Sequence, residues 1–430
     1  MRYLLAAALC LILPTSGLAV PFFTLKGHGG PVMGIAVSPS GDQIATASFD
    51  YSAGIWRDGK PKWLDGHRAA IKAISFIDDN RLITAGDDFS IRVWDISAGT
   101  HTTLGTHQGK VNHVAIAPDR SRIASASWDG TIGLWSVDGT EKLSLKGHTA
   151  GVNAVAFSDD GASLYSSSAD GTIRIWDMKT GEQKRLLKRH GFGVNTLLLN
   201  DKAGWLAYGA VDGVTRIIDP VTGKQKADFT LERRPILAMA VDRQMTRIAV
   251  GDGEGYIMVI NVKRWEIIKD FRAALRGPVW ALAFSDDGEN IHSGGLDSAL
   301  YSWPLNEKIN KDGLNTEERS FQRAPETMSN GERQFQRKCS ICHSLTPGSA
   351  RRAGPTLHGV FGRAAGAVPD YPYSATLEKS DIIWSDKTID GLFDLGPDHY
   401  IPGTKMPMQV IARPQDRKDL INFLREATKQ

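Results

Sequence analysis

From residue 22 to residue 305 the chain alternates apolar and polar positions in short runs separated by turns. Val152-Asn153-Ala154-Val155-Ala156-Phe157 is one such run, and its period of two predicts a strand. Ser158-Asp159-Asp160-Gly161 then predicts a turn, and Leu164-Tyr165-Ser166-Ser167-Ser168 a second strand. Asp170-Gly171-Thr172 makes a second turn before a third strand, Ile173-Arg174-Ile175-Trp176-Asp177. This grammar recurs about every forty residues. A Gly-His pair or a variant opens five copies at His28, His67, His107, His148 and His190, and two weaker copies have Arg234 and Gly277 near that position. The copies close on Trp56, Trp94, Trp135, Trp176, Ile218, Ile260 and Trp303. Ahead of these stops stand Asp50, Asp88, Asp129, Asp170, Asp212, Glu254 and Asp297, which makes seven copies.

The repeated residues resemble the WD-repeat family. The resemblance implies an all-β, seven-bladed WD-repeat propeller of four-stranded blades over residues 20–305. The segment Phe22-Phe23-Thr24-Leu25-Lys26 is then the outer strand of the last blade, closing the ring so that no sheet edge stays open. Five near-identical His and Asp placements argue for a structural role, since a catalytic centre needs one constellation. Each His is expected to bond the turn Asp of its own blade, with Ser or Thr and Trp completing a buried polar network. Gly251-x-Gly253-x-Gly255 falls at a blade turn with no helix after it, so it is not read as a nucleotide loop. Propellers of this kind present surfaces to partners, so protein–protein docking is the expectation for this part.

The repeat stops after Pro304, and residues 306–327 are polar and charged, as expected of a linker. Beyond it, over 328–430, lies Cys339-Ser340-Ile341-Cys342-His343. C-x-x-C-H is the spacing of c-type haem attachment. Two thiols add across the two vinyl groups of haem, and the following histidine is placed to ligate the iron. A redox dithiol, half a zinc site or a disulfide are the alternatives. Zinc would need two further Cys or His partners. A thioredoxin-like motif would open a helix after a strand, whereas Gly331 to Lys338 itself reads as helical.

Downstream, Tyr400-Ile401-Pro402-Gly403-Thr404-Lys405-Met406-Pro407-Met408 resembles the methionine loop of the mitochondrial-type class I cytochrome c family. The resemblance implies an all-α class I cytochrome c domain with one covalent haem c. It makes His343 and Met406 the axial ligands of the iron, with Met408 as competitor. Gly331 and Phe335 fit the family's first helix, and Leu420 and Phe423 the last helix, which crosses it. Pro355 is implied to pack on the His343 side, and Phe361-Gly362-Arg363 continues the match, bringing Arg363 among the cofactor-binding residues. Tyr373 and Trp384 stand where the family bonds the haem propionates, and Thr404 fits the loop hydroxyl beside the haem. Phe393 and Leu377 depart from the family, which usually has Tyr and often Asn there, and this predicts a drier pocket. A His/Met iron has no open coordination position, which suits electron transfer between redox partner proteins more than catalysis. The alternatives are an electron-transfer subunit of a periplasmic oxidoreductase with a second site in the propeller, and a haem-based sensor or scaffold.

Composition adds limits. The chain has 430 residues, 41% hydrophobic and 23% charged, with formal net charge +3, which excludes a disordered chain and argues against a nucleic-acid binder. Residues 1–19 read as a signal peptide, with Arg2 ahead of an apolar run from Leu4 to Leu13 that is too short to span a bilayer. This predicts export to a bacterial periplasm with no membrane span in the mature chain. Of three cysteines, Cys10 lies in that leader, which leaves Cys339 and Cys342 for haem and none for disulfides. From Glu326 onward there are 14 basic and 12 acidic residues, so charge steering of a redox partner is expected to be weak.

Overall fold

A computed structural model describes residues 21–232, 235–275, 277–306, 327–348, 352–369 and 371–429. The expected leader lies outside the described residues, as does the expected linker apart from its two ends.

The alternating runs form seven four-stranded antiparallel sheets, the blades of a propeller. Blade four shows the pattern, with strands Val152–Phe157, Ser163–Ser168, Thr172–Asp177 and Gln183–Arg189 in sheet order. The second strand is almost wholly buried, whereas the outermost is largely exposed and carries the charged residues. Each blade's first strand has a register shift one residue in, as between Val152 and Ala154. Such bulges bend a strand and raise its twist, and here they fall where the seven first strands converge. The ring closes as expected. Phe23–Lys26 pairs with Ala299–Pro304, Leu25 opposite Leu300, and completes blade seven.

Apolar clusters fill the joints between neighbouring blades. Ala45, Ala47 and Ile55 of blade one meet Ile71, Ile74 and Leu82 of blade two. At the closing joint Leu25 and Leu300 meet Trp56. No disulfide joins the described cysteines, so packing and closure hold the ring.

The repeated His and Asp behave as the repeat argument requires. In blade one His28 Nδ1 donates to Asp50 at 3.0 Å. A carboxylate can only accept, so Nδ1 carries a proton, and Nε2 meets the Thr46 hydroxyl at 2.7 Å. Trp56 Nε1 donates to the same Thr46 oxygen at 2.8 Å. His67, His107 and His148 repeat the set with Asp88, Asp129 and Asp170. Burial holds these three imidazoles below the usual histidine range. Blade five keeps His190 and Asp212, with Tyr208 at the Ser/Thr position, its hydroxyl beside His190, and Ile218 at the tryptophan position. Every buried ring nitrogen in blades one to four is thereby satisfied, which is what burying them requires.

The C-terminal part has five helices among its described residues: α1 Asn330–Lys338, α2 Ala375–Glu378, α3 Asp386–Leu395, α4 Pro397–Tyr400 and α5 Pro414–Ala427. Ser329 caps α1, accepting from the Glu332 backbone at 3.2 Å, and a capping box of Ser385 and Thr388 starts α3. Helices α1 and α5 cross where Gly331 faces Asp419, and a Cβ on Gly331 would overlap the Asp419 carbonyl. Phe335 and Phe423 pack at a tilt beside the crossing with ring centres 5.6 Å apart. Asn330 bonds Asp416 and Asp419 across it at 2.9 and 2.7 Å. Arg417 ties α5 to α3 through Asp390 at 2.8 Å and Asp394 at 3.0 Å. Beneath the helices Phe335, Leu392, Phe393, Leu420 and Leu424 form one buried cluster. No helix among the described residues is long and apolar enough to cross a membrane.

Candidate functional site

The pentapeptide follows directly on α1. Cys339 is the C-cap, its N–H donating to the Phe335 carbonyl at 2.8 Å. The Cys342 and His343 amides then donate back to the Cys339 carbonyl at 3.0 and 2.9 Å, so the five residues make one tight turn. Both cysteines are buried and unbridged. Burial pushes the Cys339 thiol up to about 12 and the Cys342 thiol up to about 11. Redox dithiols are activated the other way, at helix N-termini and beside cations, so a thioredoxin-type role does not fit. Among the described residues no group of three or more His, Cys, Asp and Glu is placed to hold a metal, which removes the support for a zinc site.

His343 is held on two sides. Its Nδ1 donates to the Pro355 carbonyl at 2.7 Å, which fixes the tautomer and leaves the lone pair on Nε2. A Cβ on Gly354 would overlap the ring, so only glycine lets the backbone pass so close. Burial holds the imidazole below its usual range, in the neutral form that can ligate a metal.

These residues line one cavity. All nine residues expected from the sequence border it: Cys339, Cys342, His343, Pro355, Arg363, Tyr373, Trp384, Thr404 and Met406. Thr404 Oγ1 accepts from the Met406 backbone at 3.2 Å, which shapes the loop carrying the thioether. Met408 is half exposed and off the cavity wall, and its sulfur packs on Gly396. Arg363 gives two hydrogen bonds to the His358 and Thr356 carbonyls, each 2.7 Å, so its guanidinium is spent on the backbone. Tyr373 Oη accepts from the Val368 amide at 3.3 Å. Phe393 and Leu377, the two departures from the family pattern, both face the cavity and make its wall more apolar.

Sequence reasoning missed Tyr371 and Tyr51. Tyr371 packs edge-on against Tyr373, ring centres 4.7 Å apart, and its hydroxyl bonds the Ala353 carbonyl. Tyr51 belongs to the first propeller blade and still borders the cavity. The residues fit a haem: apolar walls, paired thiols, an oriented imidazole and a thioether border one site. Gln409 Oε1, on the same wall, is buried without a hydrogen-bond partner among the described residues, as in a site shaped around a ligand.

Comparison with known families agrees with this division of the chain. The family described as WD domain, G-beta repeat matches residues 19–57, 60–95, 100–136, 139–177 and 265–303. Blade five and the three inner strands of blade six, which close on Ile218 and Ile260 in place of tryptophan, fall outside those matches. The family described as Cytochrome c matches residues 328–428. Cytochrome c of Sesamum indicum is 44% identical over 112 residues, which is 25% of this chain and 98% of that protein. Cytochrome c of Theileria parva is 43% identical over 100 residues, 23% of this chain and 85% of that protein. Cytochrome c of Cochliobolus lunatus is 40% identical over 99 residues, 23% of this chain and 91% of that protein. These relatives are eukaryotic, which corrects the placement in a bacterial periplasm expected from the N-terminal residues. A charged residue followed by a short apolar run specifies only a weak pattern, and about a hundred aligned residues outweigh it.

Proposed function

Because the chain belongs to the cytochrome c family through its C-terminal quarter, joined to a propeller of WD40 repeats, we propose that it carries single electrons on one haem c bound covalently to Cys339 and Cys342, with His343 and Met406 as axial ligands. The observation that carries this reading is that both thiols, the oriented imidazole and the thioether border one cavity. The haem would supply the redox chemistry, its iron alternating between Fe(II) and Fe(III).

The chain's own residues do the rest. The tight turn after α1 brings both cysteines and His343 to one cavity, where the thiols would hold the haem and the imidazole would ligate its iron. The Pro355 carbonyl makes Nε2 of His343 the ligating nitrogen and raises its basicity. Met406 offers a soft sulfur, which favours Fe(II) and raises the potential. Phe393 and Leu377 keep water from the methionine side. Tyr373 and Trp384 line the cavity and would give their O–H and N–H to propionates, which are costly to bury unpaired. With two protein ligands to the iron, no coordination position would stay open, which would suit a carrier more than a catalyst. Residues 328–430 form the all-α class I unit, residues 306–327 the linker, and residues 20–305 the module that docks partner proteins.

The test is co-expression with a haem-attachment system, followed by mass measurement and haem staining under denaturing conditions. One haem per chain should survive denaturation in wild type. Cys339→Ser/Cys342→Ser should lose it. Haem that washes out of the denatured wild type would refute covalent attachment.

A further inference from the structure

The propeller's blades differ at one turn position, directly after the turn acid. Blades three to six place Gly130, Gly171, Gly213 and Gly255 there, with φ of +84°, +74°, +90° and +91°. Blades one and two place aromatic residues in the same left-handed backbone, Tyr51 at φ +73° and Phe89 at φ +67°. A bulky residue in this conformation is a genuine outlier that only its surroundings can hold.

The surroundings of Tyr51 are those of the cavity. Its ring shares the lining with Cys342, Tyr371 and Tyr373. Burial, then the neighbouring Cys342 and Tyr371, push its phenol well above the usual tyrosine range. Lys405, which precedes Met406, lines the same cavity. It donates to the Pro372 carbonyl at 2.6 Å. Blade one therefore reaches the cavity that also holds one anchoring cysteine.

We propose that Tyr51 is part of the haem pocket: the turn that carries it is a docking surface for this chain's own cytochrome part, and its ring closes the cavity mouth on the Cys342 side. The proposal rests on the haem reading above. It gives the propeller a role within the molecule, since a partner then approaches a haem edge that blade one partly covers. It also accounts for an aromatic residue in blade one where blades three to six use glycine.

The experiment compares full-length wild type, Tyr51→Gly and Tyr51→Phe. Glycine suits the left-handed backbone, so Tyr51→Gly removes the ring without opposing the turn, and its propeller should unfold no earlier than wild type. Two readouts follow. The first is reduction by ascorbate, which should be about tenfold faster in Tyr51→Gly and near wild type in Tyr51→Phe, as for a buried edge opened to solvent. The second is nitration by tetranitromethane, located by peptide mass. Tyr51 should nitrate slowly in the native wild type, and Tyr371 should nitrate faster once Tyr51 is glycine. Equal ascorbate rates in wild type and Tyr51→Gly overturn the proposal, as does a Tyr371 nitration rate indifferent to Tyr51. If the wild type holds no haem, the haem reading falls on its own, and the Tyr371 nitration still decides whether blade one covers the cavity.

Discussion

The imidazole of His343 is clamped by its neighbour Pro355, whose carbonyl oxygen takes the Nδ1 proton at 2.7 Å. Gly354 presses on the same ring, so one strand of backbone sets both tautomer and tilt. Gly354→Ala should push the ring off this position. The expected outcome is a larger high-spin fraction and a weaker iron–histidine bond at neutral pH, read from the Soret and visible spectra. A spectrum identical to wild type would mean that the ring is not held by this backbone.

The crossing of α1 on α5 depends on the same kind of close approach. A methyl at residue 331 would overlap the Asp419 carbonyl, and backbone cannot rotate away as a side chain could. Gly331→Ala should destabilise the C-terminal part by about 1–3 kcal/mol, the usual cost of overpacking. Guanidinium unfolding followed by helical circular dichroism should show the helical transition earlier and the propeller transition unmoved. An unchanged helical midpoint would contradict the close crossing.

Both elements were legible in the sequence for a physical reason. Gly331, Phe335, Leu420 and Phe423 follow helical spacing, and a glycine on such a face signals contact. The blades were legible through seven repeats of one turn chemistry, strongest where His, Asp and Trp must satisfy one another and weakest in blades five and six. The convergence of nine cavity residues could be expected only through resemblance, because no local pattern brings Arg363 or Trp384 to Cys339. Tyr51 lay beyond reach for another reason. Its one signal is the break in the glycine column, which marks an unusual residue but not what covers it. The bulge in each first strand has no sequence mark either, since it follows from closing seven sheets into a ring.

Acid should weaken the propeller. Burial holds His292 down to about 4, and its ring is almost fully enclosed beside Ser302. The unfolded chain protonates this histidine first, so its share of stability is complete above about pH 6.5 and is lost as pH falls toward about 4, roughly 3 kcal/mol in all. His67, His107 and His148 are held down by burial too and act in the same direction. Asp170 opposes its own burial with hydrogen bonds from Thr172 and His148 and sits at about 2, so its contribution fades only below the ordinary carboxylate range. The propeller's thermal midpoint should therefore fall steadily from about pH 6.5 to about pH 4. His292→Gln should flatten part of that slope. A midpoint constant over this window would show that these rings are not buried neutral.

The central claim is that Met406, not its neighbour two residues on, completes the iron's coordination opposite His343. Met406 borders the cavity, whereas Met408 is half exposed and turned onto Gly396. The direct measurement is the weak red charge-transfer band of a sulfur-ligated ferric haem, recorded for wild type, Met406→Ala and Met408→Ala. The account predicts the band in wild type and Met408→Ala and its loss in Met406→Ala. Its absence from wild type, or its survival in Met406→Ala, would contradict the account.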